Sequence, residues 1–196
     1  MDTSAPDRAL TARRPTRAPR GRRPLAILLF ALSGCVATGA NDAQEANEAE
    51  IVMRSLMAAW ERGDEALLQE LFWPQATYDD FPNQHTHEGI QEIVGYVNAM
   101  HAWADDVYMS VGAVYVTESG AVAEWVFSGV QNRPLGNQVT VATGREVVTN
   151  GVTIIQLEGG RIIRAADYAD TAPMLLQLGG RIELPGGTVL ELDEGR

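Results

Sequence analysis

The sequence predicts one α+β domain in which N-terminal helices cover one face of a curved antiparallel β-sheet. Apolar residues recur at helical spacing as far as Trp103, and the period then changes to two, with turn signals between the alternating segments. Helices followed by a strand meander are typical of the α+β class. The 196 residues are 45% apolar and 21% charged, which is the composition of an ordinary globular domain.

Residues 1–34 are interpreted as a signal peptide of the lipoprotein type. Seven arginines precede the apolar run of residues 25–32, which is far shorter than the ~20 residues that cross a membrane. Residues 32–35 (LSGC) resemble the bacterial lipobox, in which cleavage precedes a cysteine that is then lipidated. The resemblance implies a lipid anchor on Cys35 and a place in the cell envelope. In the Gram-negative lipoproteins that this segment resembles, an aspartate after the cysteine retains the protein in the inner membrane. Val36 stands at that position here, so the resemblance implies the outer membrane or periplasm.

The chain that follows is strongly acidic. Residues 35–196 hold 8 arginines and no lysine against 24 acidic residues, a formal charge of −16. Nucleic acids and anionic lipid headgroups require a basic surface, so we expect neither to bind the domain. We expect membrane contact only through the lipid on Cys35.

Two helices are predicted after an acidic tether. Residues 35–47 are small, polar and acidic without an apolar period, which is typical of a tether. The domain begins at residue 48, where apolar residues recur at helical spacing: Val52, Leu56, Ala59 and Trp60. Gly63 and Asp64 end this helix and begin a short second one through Leu71, which Pro74 terminates.

A short strand and a third helix come next. The strand is predicted over residues 76–81, and Thr86 is the predicted cap of the helix. One stripe of that helix carries Ile90, Ile93, Val94, Val97 and His101. We expect His101, at the end of an apolar stripe, to be a partly buried structural histidine.

Two hairpins form the predicted meander. The first joins residues 108–116 to 121–130, and the second joins residues 146–157 to 161–168 through a Gly-Gly turn. A closing helix is predicted over residues 172–178. The domain therefore ends near residue 180, and residues 181–196 form a C-terminal extension that contains a further hairpin.

Several short motifs resemble the SnoaL-like polyketide cyclases of the nuclear-transport-factor-2-like and ketosteroid isomerase-like superfamily. In chain order they are residues 58–64 (AAWERGD), 124–129 (EWVFSG), 143–145 (TGR), 151–152 (GV), 158–163 (EGGRII), 167–170 (DYAD) and 176–179 (LQLG). The resemblance covers about residues 48–180. It implies a cone of three helices, a four-stranded curved sheet and a last short helix, and a homodimer formed through the outer sheet face. This fold hosts isomerases, cyclases, hydratases, epoxide hydrolases and non-catalytic binders.

Asp167 is the first candidate catalytic residue. Alternation places Ile163, Ala165 and Asp167 on one face of the last strand of the meander. If that face lines the cone, burial raises the pKa of the carboxyl and makes it a general base near neutrality. The resemblance to SnoaL-like cyclases implies an acid/base role for it. The alternative is a solvated carboxylate or a cap of the closing helix, a place that Asp170 fits better.

Tyr78 and Asp80 are the second candidates. Alternation places both on one side of the first strand and Asp79 on the other. The resemblance to ketosteroid isomerases implies a general-base role for Asp80. If Asp80 and Asp167 share a cavity, their repulsion leaves one of them protonated, so that the pair divides the acid and base roles. The alternative is that Tyr78 packs in the core and the aspartates face water.

Four aromatic residues are candidates for an apolar wall around a small hydrophobic ligand: Trp60, Trp103, Trp125 and Phe127. Packing in the core is the alternative for each. The oxyanion tyrosine of ketosteroid isomerases falls at Leu56, which disfavours steroid isomerisation. The arginine and aspartate of limonene-epoxide hydrolases fall at Trp125 and Phe127, so the proton donor that opens an epoxide is absent.

His85 and His87 raise the question of a metal site, since imidazole and carboxylate groups bind zinc and iron. They lie in a predicted loop close to Asp79 and Asp80, where histidines are usually solvated or capping. The sequence therefore predicts no metal site, and no cofactor is expected.

The preferred function is cofactor-free proton transfer on a small hydrophobic carbonyl or polyene, with Asp167 as the base, in a lipid-anchored envelope protein. Two alternatives stay open. One is a non-catalytic module that binds a ligand or a protein, and the other is water activation of the epoxide-hydrolase kind.

Overall fold

The computed structural model describes the backbone of residues 35–192 and the side-chain environments of residues 44–192. The predicted signal peptide, residues 1–34, lies outside the described residues. The helices are α1 (Cys35–Arg62), α2 (Glu65–Leu71), α3 (Ile90–Trp103) and α4 (Thr171–Gln177). The strands are β1 (Phe72–Asp80), β2 (His85–Glu88), β3 (Ala104–Thr117), β4 (Gly120–Gln131), β5 (Arg145–Glu158), β6 (Arg161–Ala169), β7 (Ile182–Glu183) and β8 (Val189–Leu190).

The predicted α+β class is confirmed. The main sheet has the order β2-β1-β6-β5-β4-β3, with β1 parallel to β6 and every other pair antiparallel. It has six strands instead of four, because β1 and β2 extend the meander at one edge. The core lies between the helices and the inner face of this curved sheet, where Met53 and Leu56 of α1 are fully buried together with Ile155 and Ile162.

Helix α1 differs from the prediction at its start. It begins at Cys35, so residues 35–47, predicted as an acidic tether, are helical. Alanine, glutamine and glutamate fill much of this segment, and all three are strong helix formers. The segment runs without a break into the buried face of the helix, which begins with Ala49. Among the described residues, no helix is both long and apolar enough to cross a membrane.

The turn between α1 and α2 follows the prediction. Gly63 has a φ of +62°, which favours glycine, and the Asp64 carboxylate accepts a hydrogen bond from the Leu67 backbone N–H at 3.1 Å. Helix α2 ends at Leu71, as predicted, but the role predicted for Pro74 is wrong, because β1 already begins at Phe72 and continues through the proline. The pairing of β1 with β6 shifts register between Phe72 and Thr77, and such an irregularity is where a strand accommodates proline.

Strand β2 was not predicted. It pairs with β1, so Thr86 lies within a strand and does not cap α3. The cap position is Gly89, with a φ of +79° and no side-chain cap bond. The Glu92 carboxylate instead accepts a hydrogen bond from the Glu88 backbone N–H at 2.8 Å, which ties the first turn of α3 to the end of β2.

Both predicted hairpins are confirmed as β3–β4 and β5–β6. Helix α4 starts after Asp170, which occupies the cap position without a side-chain cap bond. His101 is partly buried, and its Nε2 lies 2.8 Å from the Trp60 carbonyl oxygen, as expected of a structural histidine. The C-terminal extension contains the small hairpin β7–β8.

Candidate active site

A row of polar residues crosses the inner face of the sheet. His85 of β2 is paired with Asp80 of β1, Asp80 with Asp167 of β6, and Asp167 with Thr153 of β5. Paired residues of neighbouring strands project to the same side of a sheet. Asp80, Asp167 and Thr153 are all buried, at 2%, 8% and 1% exposure. The register therefore brings two carboxylates together beneath the helices, as the alternation predicts.

Asp167 is a buried, hydrogen-bonded acid. Its Oδ1 accepts a hydrogen bond from the Thr153 hydroxyl at 2.5 Å. Burial is the main cause that raises the pKa of Asp167 to about 6; the charge of Asp80 acts in the same direction, while hydrogen bonding to Thr153 and the nearby Tyr78 hydroxyl oppose the shift. The group therefore changes charge close to neutrality, as a general acid/base must. The alternative of a solvated Asp167 does not hold.

Thr153 and Trp125 hold this carboxylate in place. The Trp125 indole N–H donates to the Thr153 hydroxyl at 2.8 Å, so the hydroxyl proton of Thr153 is directed towards Asp167. The indole reaches Thr153 by lying over Gly151, where an added Cβ would come within 2.2 Å of the ring. Only glycine leaves room at this position for the Trp125–Thr153–Asp167 chain.

Asp80 is held by the loop that follows β1. The backbone N–H and the side-chain amide of Asn83 donate to its two carboxylate oxygens at 3.2 and 2.7 Å. Its Oδ2 also lies 4.0 Å from Nε2 of His87. Asp79 projects to the opposite side of the strand and pairs with Arg164. The predicted division of β1 into two faces is confirmed.

Tyr78 and Tyr96 place two phenols against the carboxylates. Tyr78 is fully buried, and burial together with the charge of Asp167 raises the pKa of its hydroxyl well above the ordinary value. Burial and the charges of Asp167 and Asp80 likewise raise the pKa of Tyr96. Both phenols are therefore neutral hydrogen-bond donors at physiological pH. The two rings lie 5.5 Å apart.

Three buried polar atoms near Tyr96 make no hydrogen bond of ordinary length and angle within the described residues. They are Nε1 of Trp60, the hydroxyl oxygen of Tyr78 and Nε2 of His87. The rings of Trp60, Tyr78 and His87 lie 4.9, 5.5 and 4.3 Å from that of Tyr96. Buried polar groups almost always have a partner, so this convergence indicates a place for a water molecule or a polar group of a ligand.

The four predicted aromatic wall residues do not form one wall. All are buried in the core. Trp60 adjoins Tyr78 and Tyr96, and Trp125 adjoins Thr153, so these two border the polar row. Trp103 and Phe127 pack instead against each other, with ring centroids 6.0 Å apart.

A depression of about 720 Å³ lies on the opposite, outer face of the sheet. Its lining includes Val126, Asn150, Val152 and Tyr168, which alternate along their strands with inward-facing residues. It contains none of Tyr78, Asp80 and Asp167.

Thr153 and Tyr96 were not predicted as site residues. Thr153 is identified only by the register of β5 against β6, which is a long-range property. Tyr96 follows Ile93 at a spacing of three, so the helical stripe that predicted a buried Ile93 also carried a signal for Tyr96.

At the exposed end of the row, ligand atoms of His85, His87 and Glu92 lie within 4.8 Å of one another, a set of groups capable of holding a metal ion.

A family model described as the SnoaL-like domain matches residues 53–165, more than half of the chain. The chain belongs to the SnoaL-like family. The resemblance drawn from the short sequence motifs is thereby confirmed. No curated protein matched the chain.

Solved structures with the same fold share little sequence with this SnoaL-like domain. TsrD from Streptomyces laurentii is 24% identical with a TM-score of 0.60, over 68% of this chain and 96% of that one. IdmH from Streptomyces antibioticus, provisionally described as a polyketide cyclase, is 20% identical with a TM-score of 0.60, over 67% and 99%. An NTF2-like protein from Burkholderia thailandensis is 18% identical with a TM-score of 0.56, over 68% and 97%. At these identities the likeness shows the fold alone.

Proposed function

We propose that the SnoaL-like domain transfers a proton at a carbon atom of a small hydrophobic carbonyl or polyene, with Asp167 as the base. The observation that carries this proposal is the buried Asp167 carboxyl, whose pKa is raised to about 6. Such a group is largely ionised at pH 7 yet holds an abstracted proton well enough to return it. The step needs no cofactor, because the proton leaves carbon, rests on Asp167 and returns to carbon.

The surrounding donors supply the second half of this chemistry. Removing a proton beside a carbonyl places negative charge on its oxygen, and fixed donors in a dry site stabilise that charge. The Trp60 indole N–H has no partner among the described residues, and the Tyr78 hydroxyl on the neighbouring ring lies close to Asp167 without forming a hydrogen bond of ordinary length and angle. We assign them to the substrate oxygen. Thr153 positions the base, and the charge of Asp80 disfavours the negative charge on Asp167.

The provisional description of IdmH as a polyketide cyclase is in keeping with this reading, since cyclisation of a polyketide begins with proton abstraction beside a carbonyl. The buried aromatic rings that border the row favour a flat, apolar substrate.

The test is deuterium exchange into a panel of flat ketones, with 2-tetralone as the first probe, followed by NMR in heavy water. We expect exchange by the wild type to rise with pH through about 6, as Asp167 loses its proton. General base catalysis contributes about 10²–10⁴-fold, so Asp167→Asn should lower the rate at least about 100-fold. The matched control is Asp170→Asn, since Asp170 is exposed and makes no side-chain cap bond.

Two results would contradict the proposal. One is equal exchange by the wild type and the Asp167→Asn variant. The other needs no substrate: a pKa of Asp167 at or below 3.8, measured by carbon-detected NMR, would show that the carboxyl is not desolvated.

The second candidate function is a binding module without catalysis. It is favoured by the outer depression of about 720 Å³, which presents Val126, Val152 and Tyr168 at the surface. Absence of exchange with every ketone, together with a raised pKa of Asp167, would favour this reading.

We further propose that a lipid attached to Cys35 anchors the domain in the cell envelope. The support is the LSGC motif of residues 32–35 after a short apolar run. A polyketide cyclase usually works beside a cytoplasmic synthase, so this location favours a substrate that reaches the envelope.

A further inference from the structure

His85 and His87 share one face of the edge strand β2. They are two residues apart, so alternation directs both imidazoles towards the inner side, and they pair in register with Asp80 and Tyr78. Gly89, with a φ of +79°, then turns the chain into α3, whose first turn carries Glu92. Ligand atoms of His85, His87 and Glu92 all lie within 4.8 Å of one another.

Two of the three side chains in this cluster, His87 and Glu92, are held by their neighbours. The His87 ring stacks on Tyr96 at 4.3 Å and meets the His85 ring edge-on at 4.6 Å. One oxygen of Glu92 accepts the Glu88 backbone N–H at 2.8 Å, which fixes the carboxylate and leaves the other oxygen available. Ligands held in this way by outer hydrogen bonds and packing are typical of metal sites in proteins.

His87 gives an independent indication that a partner belongs here. Its Nε2 is buried and makes no hydrogen bond among the described residues. The nearest acidic oxygen, Oδ2 of Asp80, is 4.0 Å away, beyond hydrogen-bond distance. A buried imidazole nitrogen without a partner has an available lone pair or N–H, and a metal ion satisfies the lone pair of a neutral imidazole.

The spacing of the three ligand atoms suits an ion better than direct hydrogen bonds. Bonds of about 2.0–2.2 Å to zinc hold ligand atoms about 3–4 Å apart. His85 is exposed on an edge strand, so its ring has freedom to close the remaining distance. Two imidazoles and one carboxylate form a ligand set used for zinc in hydrolases and for iron in oxygenases.

We propose that His85, His87 and Glu92 bind one divalent transition-metal ion of the zinc or iron(II) class. The sequence alone predicts a loop and no metal site here, and the pairing of β2 with β1 is what places both histidines on one face. Three protein ligands leave at least one coordination position open. The site uses different groups from the Asp167 chemistry, so it goes beyond the proposed function.

The experiment is calorimetric titration of the full chain with zinc, with cobalt(II) absorption as a second readout. All samples carry Cys35→Ser, so that a free thiol cannot supply the binding. We expect one equivalent of zinc to bind and visible cobalt bands to show coordination by the protein. The His85→Ala and Glu92→Gln variants should each bind at least about 10-fold more weakly. Glu88→Gln is the matched control, since Glu88 is an exposed carboxylate beside the cluster that offers it only its backbone N–H.

His85 is exposed, so its replacement is not expected to unfold the chain, and circular dichroism checks this. Unchanged zinc affinity in His85→Ala, or less than one saturable equivalent in the parent protein, would overturn the proposal. Equal weakening by Glu88→Gln and Glu92→Gln would also overturn it, since that pattern indicates non-specific attraction to an acidic surface. Binding is read without substrate, so its outcome is separate from that of the proton-transfer proposal.

Discussion

A single buried carboxyl dominates the energetics of the site. Asp167 is ionised at pH 7 although burial disfavours its charge, and the Thr153 hydroxyl offsets only part of that penalty. The ionised Asp167 carboxyl thus lowers the stability of the fold, although it lies at the centre of the polar row. Functional sites often contain such residues, because the environment that makes a group reactive also makes it destabilising.

The pH dependence of stability follows from this shift. The folded-state pKa of about 6 exceeds the ordinary 3.8, so the contribution of Asp167 to stability is fully present below pH 3.8 and is lost as pH rises through 6. Each pKa unit is worth about 1.4 kcal/mol, so the whole loss is about 3 kcal/mol. Asp167→Asn removes this dependence. In urea unfolding, the free energy of unfolding of the variant minus that of the wild type should therefore be about 1–2 kcal/mol larger at pH 8 than at pH 5.

Asp170→Asn is the control for that measurement, because the exposed Asp170 side chain makes no cap bond. The free energy of unfolding of this variant should differ from that of the wild type by the same amount at pH 5 and at pH 8. A constant difference between Asp167→Asn and the wild type from pH 5 to pH 8 would mean that Asp167 has an ordinary pKa.

Residues on one strand were predictable from the sequence, and residues brought in by other elements were not. Alternation is local, so it was sufficient to place Tyr78, Asp80 and Asp167 on the inner face. Thr153 enters through strand register, and Tyr96 enters through the packing of α3 on the sheet. Neither this register nor this packing is encoded in a short window of sequence, although the apolar stripe of α3 carries a local signal that Tyr96 faces the core.

At the scale of elements, turn chemistry explains what was predicted and what was missed. The two hairpins of the meander carry clear turn signals beside alternating apolar residues. Strand β2 consists of four polar residues at the edge of the sheet, so no apolar alternation predicts it. Its pairing with β1 depends on the neighbouring strand, which is why its two histidines were predicted to lie in a loop.

The pairing of β4 with β5, in which Trp125 lies opposite Gly151, gives a prediction about packing. An alanine at Gly151 would place its Cβ 2.2 Å from the Trp125 indole, which is buried and hydrogen-bonded to Thr153. Overpacking of this kind costs about 1–3 kcal/mol, so Gly151→Ala should lower the free energy of unfolding by that amount. Displacement of the indole should also weaken the hold of Thr153 on Asp167. Thermal unfolding measures the first effect, and carbon-detected NMR titration of Asp167 measures the second.

Gly95→Ala is the matched control for this substitution. Gly95 lies within α3, and an added Cβ there meets nothing within 4 Å. Alanine in a helix is favoured over glycine by about 1 kcal/mol, so this variant should be more stable than the wild type. If both variants changed stability in the same direction, the close approach of Trp125 to Gly151 would not be the cause.

At the scale of the whole molecule, the two faces of the sheet have different characters. The inner face is covered by helices, whereas the outer face exposes Val126, Val148 and Tyr168, with Phe81 stacked on Tyr168 at 4.5 Å. Clustered exposed apolar residues of this kind mark interaction surfaces. The charge of residues 35–196, −16, opposes the approach of two copies unless the contact is made through such an apolar face.

We therefore propose that the protein forms a homodimer through the outer sheet face. Val126→Glu adds a charge to that face, within the depression that Val126 lines together with Val152 and Tyr168, and should raise the dimer dissociation constant at least about 10-fold. Ile51→Glu is the matched control, because Ile51 is also apolar and exposed but lies on α1. Sedimentation velocity measures both variants. Added salt should strengthen the wild-type dimer, because it screens the repulsion between two acidic chains. Two results would contradict this arrangement: a wild-type protein that is monomeric at every concentration, or a dimer that only Ile51→Glu disrupts.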